Sequence, residues 1–225
     1  MARKAAGETR KRHRILIVDD HPIVRERLTE LIHQEGDLEV CGEAEDSHQA
    51  LRAVENLKPD LAIVDITLKD TFGIELIRQL HERWPKLPIL VLSMHDEAVF
   101  GERSLRAGAR GYLNKQEATR NVIAAIRKVL AGEIYASDKM ASLILRKVAG
   151  RRSLEGGSPL DVLTDRELEV FQLLGQGLGV RQIAEHLFVS VKTVEAHREH
   201  IKRKLNVRTS AELLRLAFQY TMTDP

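Results

Sequence analysis

The chain of 225 residues is predicted to fold as an α/β domain with a parallel sheet, followed by a smaller all-helical domain. Two observations lead there. Short, continuously apolar runs rich in branched residues, at 15–18, 61–64 and 89–92, read as strands buried on both faces. Helix-period segments separate these runs, whereas beyond Thr164 helical periodicity continues with no further strand candidate.

Taken in order, strands are expected at 14–18, 38–43, 61–65, 89–93 and 111–113, and the helices between and after them at 22–34, 47–57, 73–84, 98–107 and 121–131. Pro22 suits a first helical turn, and Ser47 is the expected cap of the second helix. Ile23, Val24, Leu28, Leu31 and Ile32 give the first helix its apolar face, and Val122, Ile123, Ile126, Val129 and Leu130 do so for the fifth. A further helical stretch carries Met140, Leu143, Ile144 and Val148. Residues 150–159 then have the Gly- and Ser-rich composition of a linker. Four C-terminal helices are expected at 165–176, 180–187, 191–205 and 210–220. Thr164 followed by Glu167 forms a capping-box pattern, and 188–190 is the short turn of a helix-turn-helix whose second helix Ser190 caps. The division is a basic disordered arm (1–13), an α/β domain (14–134), a helical and flexible linker (135–160) and a helix-turn-helix domain (161–225).

Composition narrows the class. Hydrophobic residues make up 43% of the chain, enough for a core. No stretch approaches the roughly 18 apolar residues of a membrane span. No apolar signal segment is read near the N-terminus, and the lone Cys41 excludes an internal disulfide, so a cytoplasmic location is expected, with a buried inert thiol. The net charge of +2 hides an asymmetry: residues 14–131 carry 16 basic and 20 acidic side chains, while Lys192 to Arg208 holds six basic against two acidic. The basic field is local to the C-terminal third.

The chemistry is concentrated at strand ends. Asp19 and Asp20 close the first run, Asp65 closes another, and Lys115 follows the last. In a parallel sheet these positions converge on one crevice. Three carboxylates and an ammonium there are costly unless a divalent cation and a phosphoryl group use them. A carboxylate can attack phosphorus to form a mixed anhydride, and Asp65 is placed to do so.

In order and spacing, several motifs resemble the response-regulator family, specifically its NarL/LuxR/FixJ-type branch. They are Val18-Asp19-Asp20-His21-Pro22, Val64-Asp65-Ile66, Leu92-Ser93-Met94-His95 and Gly108 through Lys115 in the first domain. The second domain adds Leu163 through Glu167, Ile183-Ala184, Ser190 through His197 and Lys204-Leu205. The resemblance spans about Arg14 to Tyr220. It implies a flavodoxin-like receiver of five parallel strands in the order 2-1-3-4-5, and a four-helix DNA-binding domain. It implies that a sensor histidine kinase phosphorylates Asp65 with Mg2+ as cofactor. Asp20 and Asp65 would be direct ligands, Asp19 a ligand through water, and the Thr67 backbone carbonyl another. Lys115 and Ser93 would contact the phosphoryl oxygens, and Tyr112 would turn inward as part of the switch. A phosphorylation-controlled homodimer on double-stranded DNA follows, with no membrane partner and no enzymatic activity beyond self-phosphorylation and self-dephosphorylation. The departure from the family pattern is Leu68-Lys69, where Met-Pro is frequent. His21 and His95 are expected to be surface residues near the site.

A wheel of the third C-terminal helix puts Val194, Ile201 and Leu205 in the core. Lys192, Glu195, Ala196, Glu199, Lys202 and Arg203 project toward bases. Thr193, His200 and Lys204 lie on one flank and Arg198 on the other, toward phosphates. Leu213, Leu214, Leu216, Ala217 and Phe218 make the last helix a dimer contact or a core helix. The Gly-rich linker would allow the receiver to cover the third helix in the inactive state, and the sequence leaves open whether it does. Two rival readings are a Mg2+-dependent phosphohydrolase with Asp65 as nucleophile, and a regulator that binds DNA without phosphorylation.

Overall fold

The computed structural model describes residues 12–68, 71–148 and 158–222. Five parallel strands, β1 (His13–Val18), β2 (Leu38–Ala44), β3 (Leu61–Val64), β4 (Ile89–Ser93) and β5 (Gly111–Asn114), lie in the order β2-β1-β3-β4-β5. Alternate side chains point to opposite faces of a strand, so each strand feeds two cores. Ile15, Ile17, Ile63, Leu90 and Leu92 pack with α1 (Pro22–His33) and α5 (Lys115–Leu130). Leu16, Val18, Val64 and Val91 face α2 (Ser47–Leu57), α3 (Gly73–Arg83) and α4 (Glu97–Arg106).

Local chemistry sets the element ends. Pro22 opens α1. The cap of α2 is Asp46 rather than the expected Ser47, because the Asp46 carboxylate accepts from the Gln49 N–H at 2.7 Å. The last receiver helix begins at Lys115, six residues before its expected start. There the Asn114 side chain accepts from the Gln116 N–H, and the polar run Lys115-Gln116-Glu117 gives apolar periodicity no signal. Tyr135, assigned to the linker, instead runs along the outer edge of β5: Tyr112 N–H donates to its carbonyl at 3.0 Å and its own N–H donates to Arg110. Half-buried Cys41 lies in β2, where partial burial raises its thiol pKa.

After α6 (Asp138–Val148), which packs on α4 through Met140, a 3-10 turn (Pro159–Val162) leads into α7 (Asp165–Gly175), α8 (Val180–His186), α9 (Val191–Lys204) and α10 (Ser210–Met222). The expected capping box is present: Glu167 N–H donates to Thr164 Oγ1, and Thr164 N–H to Glu167 Oε2. Ser190 Oγ caps α9 by accepting from the Thr193 N–H. On α10, Leu213 and Ala217 are fully buried while Leu214 and Phe218 remain exposed, so the helix is a core element with an apolar outer face. The arm (1–11), Lys69 and most of the Gly-rich linker (149–157) lie outside the described residues.

Gly73 holds the loop after β3 in place. Its N–H donates to the Ile66 carbonyl at 2.7 Å, and a Cβ there would collide with the Asp65 carbonyl oxygen. Backbone cannot move aside as a side-chain tip can. Gly73→Ala is therefore expected to destabilise the protein by about 1–3 kcal/mol, measured by urea denaturation.

Candidate functional site: an acidic crevice coupled to a helix-turn-helix

The strand ends bring the predicted residues together. Asp19 and Asp65 are buried after β1 and β3, and Lys115 enters from the start of α5. Its Nζ stands 2.7 Å from both Asp19 Oδ2 and Asp65 Oδ2. Desolvation pushes Asp65 up to about 6, against the pull of the Lys115 charge and with Asp19 adding to the rise. Burial works against the Lys115 ammonium as well, but the charges of Asp65 and Asp19 more than offset it and hold its pKa above the ordinary value.

Asp19, Asp20, His21 and Asp65 present ligand atoms within 4.8 Å of one another. Among the described residues the buried Asp20 Oδ1 accepts no hydrogen bond, although His21 Nδ1 is 2.7 Å away. A buried carboxylate oxygen left without a donor, among other oxygens, fits a hard divalent cation such as Mg2+. His21 keeps an exposed ring.

Ser93 is buried at the end of β4, and its Oγ accepts from the His95 N–H at 3.2 Å. The Tyr112 ring, expected to turn inward on phosphorylation, is already buried, with its hydroxyl donating to the His95 carbonyl at 2.7 Å. His95 is not a bystander at the surface. Its Nε2 is 2.9 Å from Thr67 Oγ1, its ring lies against Phe100, and the Gln172 amide on α7 reaches its ring nitrogens at 3.3 Å. One residue thus touches the acceptor loop, the end of β4, β5 and the second domain. Sequence reasoning missed this role because Gln172 is 77 residues away.

The two domains dock through α7. Arg103 on α4 donates to Asp165 at 2.9 Å and to the Leu163 and Leu160 carbonyls, and Arg78 on α3 reaches the other oxygen of Asp165. Receiver residues Phe72 and Phe100 belong to the same buried apolar cluster as Leu160, Leu168 and Phe171. The receiver thus docks on α7 and not on α9: Arg78 and Arg103 find their acceptors on α7 and the turn before it. Lys192, Glu195, Ala196, Glu199, His200, Arg203 and Lys204 on α9 are exposed.

Not every α9 side chain takes its expected direction. Lys204 Nζ pairs with Glu167 at 2.6 Å, and His200 leans toward the same carboxylate. Lys202 pairs with Glu199 and is largely covered, and Arg198 pairs with Glu195. Thr193 Oγ1 bonds the Ser190 hydroxyl within the cap.

Comparison with known proteins settles the family. The response regulator receiver domain matches residues 15–127, and the luxR family of bacterial regulatory proteins matches residues 161–217. The chain belongs to the response-regulator family. The oxygen regulatory protein NreC of Staphylococcus carnosus is 34% identical over 215 residues, covering 94% of this chain and 99% of that protein. NreC of Staphylococcus haemolyticus is equally similar. Among solved structures, the RcsB response regulator of Salmonella typhimurium superposes with a TM-score of 0.74 at 27% identity, covering 94% of this chain and 99% of that one. RcsB bound to a promoter in the presence of the phosphomimetic BeF3- gives 0.70 at 27% identity, covering 92% and 98%. This response regulator is thus a DNA-binding transcription regulator with a receiver and a LuxR-type domain. Among the described residues, no helix is long and apolar enough to cross a membrane.

The raised pKa of Asp65 fixes a sign. The folded value, about 6, lies above the 3.8 of an ordinary aspartate. The fold therefore prefers the neutral acid, and that contribution is complete below about pH 4 and lost as pH rises through about 6. Without divalent cations, Asp65→Asn is expected to stabilise the protein by on the order of 2 kcal/mol at pH 7.5 and by little at pH 4, read from urea titrations at both pH values.

Proposed function

We propose that a sensor histidine kinase phosphorylates Asp65 with Mg2+ present, and that the phosphate undocks α7 to favour a homodimer on double-stranded DNA. The observation that carries this is Asp65 buried at the end of the central strand, 2.7 Å from the Lys115 ammonium. An Asp65 carboxylate oxygen forms a bond to phosphorus as the P–N bond of a phosphoimidazole donor breaks. Asp19, Asp20, Asp65 and the Thr67 carbonyl are the groups that would hold Mg2+, which supplies charge neutralisation for the incoming phosphoryl group. Lys115 exchanges a carboxylate partner for a phosphoryl oxygen. The protein's own chemistry is confined to gaining and losing this one group.

The consequences follow bond by bond. If the Ser93 hydroxyl turns to the phosphate, His95 N–H loses its acceptor. His95 then shifts with the Tyr112 hydroxyl it carries, and its contact with Gln172 goes with it. Against this stand the Arg103 bonds to Asp165, Leu160 and Leu163. A cleft of about 600 Å3, partly open to solvent and lined by His95, Phe100, Phe171 and Tyr220, notches the docked face. Incomplete contact of that kind keeps the interface weak enough to reverse. Since α9 is exposed while docked, control acts through domain arrangement rather than through occlusion of the reading helix.

Two measurements test this. Incubated with Mg2+ and acetyl phosphate, wild type is expected to gain one phosphoryl group by intact mass and Asp65→Asn none; an equal gain in both would move the acceptor elsewhere. Arg103→Ala, which removes the bonds to Asp165 and to the turn before α7, is expected to enlarge the radius of gyration of the unphosphorylated protein in X-ray scattering. An unchanged radius would mean the docked state does not depend on this anchor.

A further inference from the structure

We infer that Phe188 and Val191 form an apolar edge of the DNA-reading surface and that this edge takes the C5 methyl group of a thymine in the major groove. The inference rests on the reading of α9 as the base-contacting helix.

Phe188 occupies a position where a side chain is expensive. It follows α8 with φ of 52° and is 84% exposed. Its N–H donates to Glu185 and that of Val189 to Ala184, the paired bonds of a helix end whose left-handed residue is ordinarily glycine. A Cβ in this conformation is strained, and a large exposed ring gains nothing from folding. Strain of this kind persists where function holds it. Val191, the first residue of α9, is 45% exposed and lies one helical turn before Glu195 on the same stripe. The Ser190 cap fixes the direction in which that first turn emerges.

DNA is the occupant that fits. The N-terminal turn of a reading helix is the part that meets base edges. Thymine alone offers a methyl group in the major groove, and apolar side chains are its partners there. Phe188, Val189 and Val191 line one shallow groove with Ala184, Glu185 and exposed Arg181, and Lys192 follows directly. Cations beside an apolar edge match a methyl group flanked by phosphates. The edge also continues the face carrying Glu195 and Glu199.

The test is a chemical double-mutant cycle on the full-length protein. A duplex enriched from a random-sequence pool by wild type is resynthesised with each thymine replaced, singly, by deoxyuridine, and affinities are read by fluorescence anisotropy. Loss of one methyl is expected to weaken wild type roughly fourfold at one position per half-site, the worth of one buried methyl. The same replacement should leave Val191→Ala or Phe188→Gly unaffected. Phe188→Gly should melt no lower than wild type, which separates lost binding from lost folding. The inference is overturned if no thymine position responds in wild type, or if the response persists in both variants. It is also overturned if the variants keep full affinity but lose run-off transcription with polymerase, which would make the edge a protein contact. Lys192→Ala and Glu195→Ala are the controls: unchanged sequence preference in both would overturn the assignment of α9 itself, whereas altered preference there with a silent edge would sink only the present inference.

Discussion

The receiver depends on one ammonium among three carboxylates. Lys115 neutralises Asp19 and Asp65 in a crevice where neither acid is solvated, and without it the strand ends would repel one another. The arrangement is adequate but unsatisfied: desolvation still lifts Asp65, and among the described residues a buried oxygen of Asp20 accepts no hydrogen bond. A pocket left short of positive charge favours any ligand that supplies it, which is the physical ground for the proposed Mg2+-assisted phosphorylation. The same imbalance costs folding stability.

In the proposed switch, a change at the site has a short path to the second domain. His95 sits two residues past the buried Ser93 hydroxyl and binds Thr67, Tyr112 and Gln172 through different atoms. A small change at Ser93 cannot be absorbed locally, because each of those partners belongs to a different element. Arg103 gives the opposing hold, with its guanidinium shared between one carboxylate and three carbonyls at the entrance to α7. The balance between a polar anchor and an imperfectly packed apolar contact is what a reversible switch requires.

Much of the site was legible because of where parallel strands end. Asp19, Asp65 and Lys115 each follow an apolar run, and strand ends of one parallel sheet must share a crevice, so spacing alone implied their meeting. Helix starts were less legible where the first turn is polar, as with α5, which begins six residues before its expected start because Lys115-Gln116-Glu117 carry no apolar side chain. Within α9 the apolar positions Val194 and Ile201 fell inside as the wheel required, whereas Lys202, Arg198 and Lys204 bent toward neighbouring glutamates. Long charged side chains choose partners by local geometry, which periodicity does not encode.

The sequence by itself determined the α/β receiver with its strand-end chemistry and the helix-turn-helix that follows, since both rest on local periodicity, caps and spacing. Only the tertiary structure decided that the receiver docks on α7 and leaves α9 open, that Tyr112 is already inward, and that His95 joins the two domains. Those facts depend on contacts between residues apart in the chain, 17 positions for Tyr112 with His95, 60 for Arg103 with Leu163 and 77 for His95 with Gln172, and on which of several exposed acids an arginine can reach. No local pattern carries that information, because each partner reads, on its own, as an ordinary polar residue at a surface.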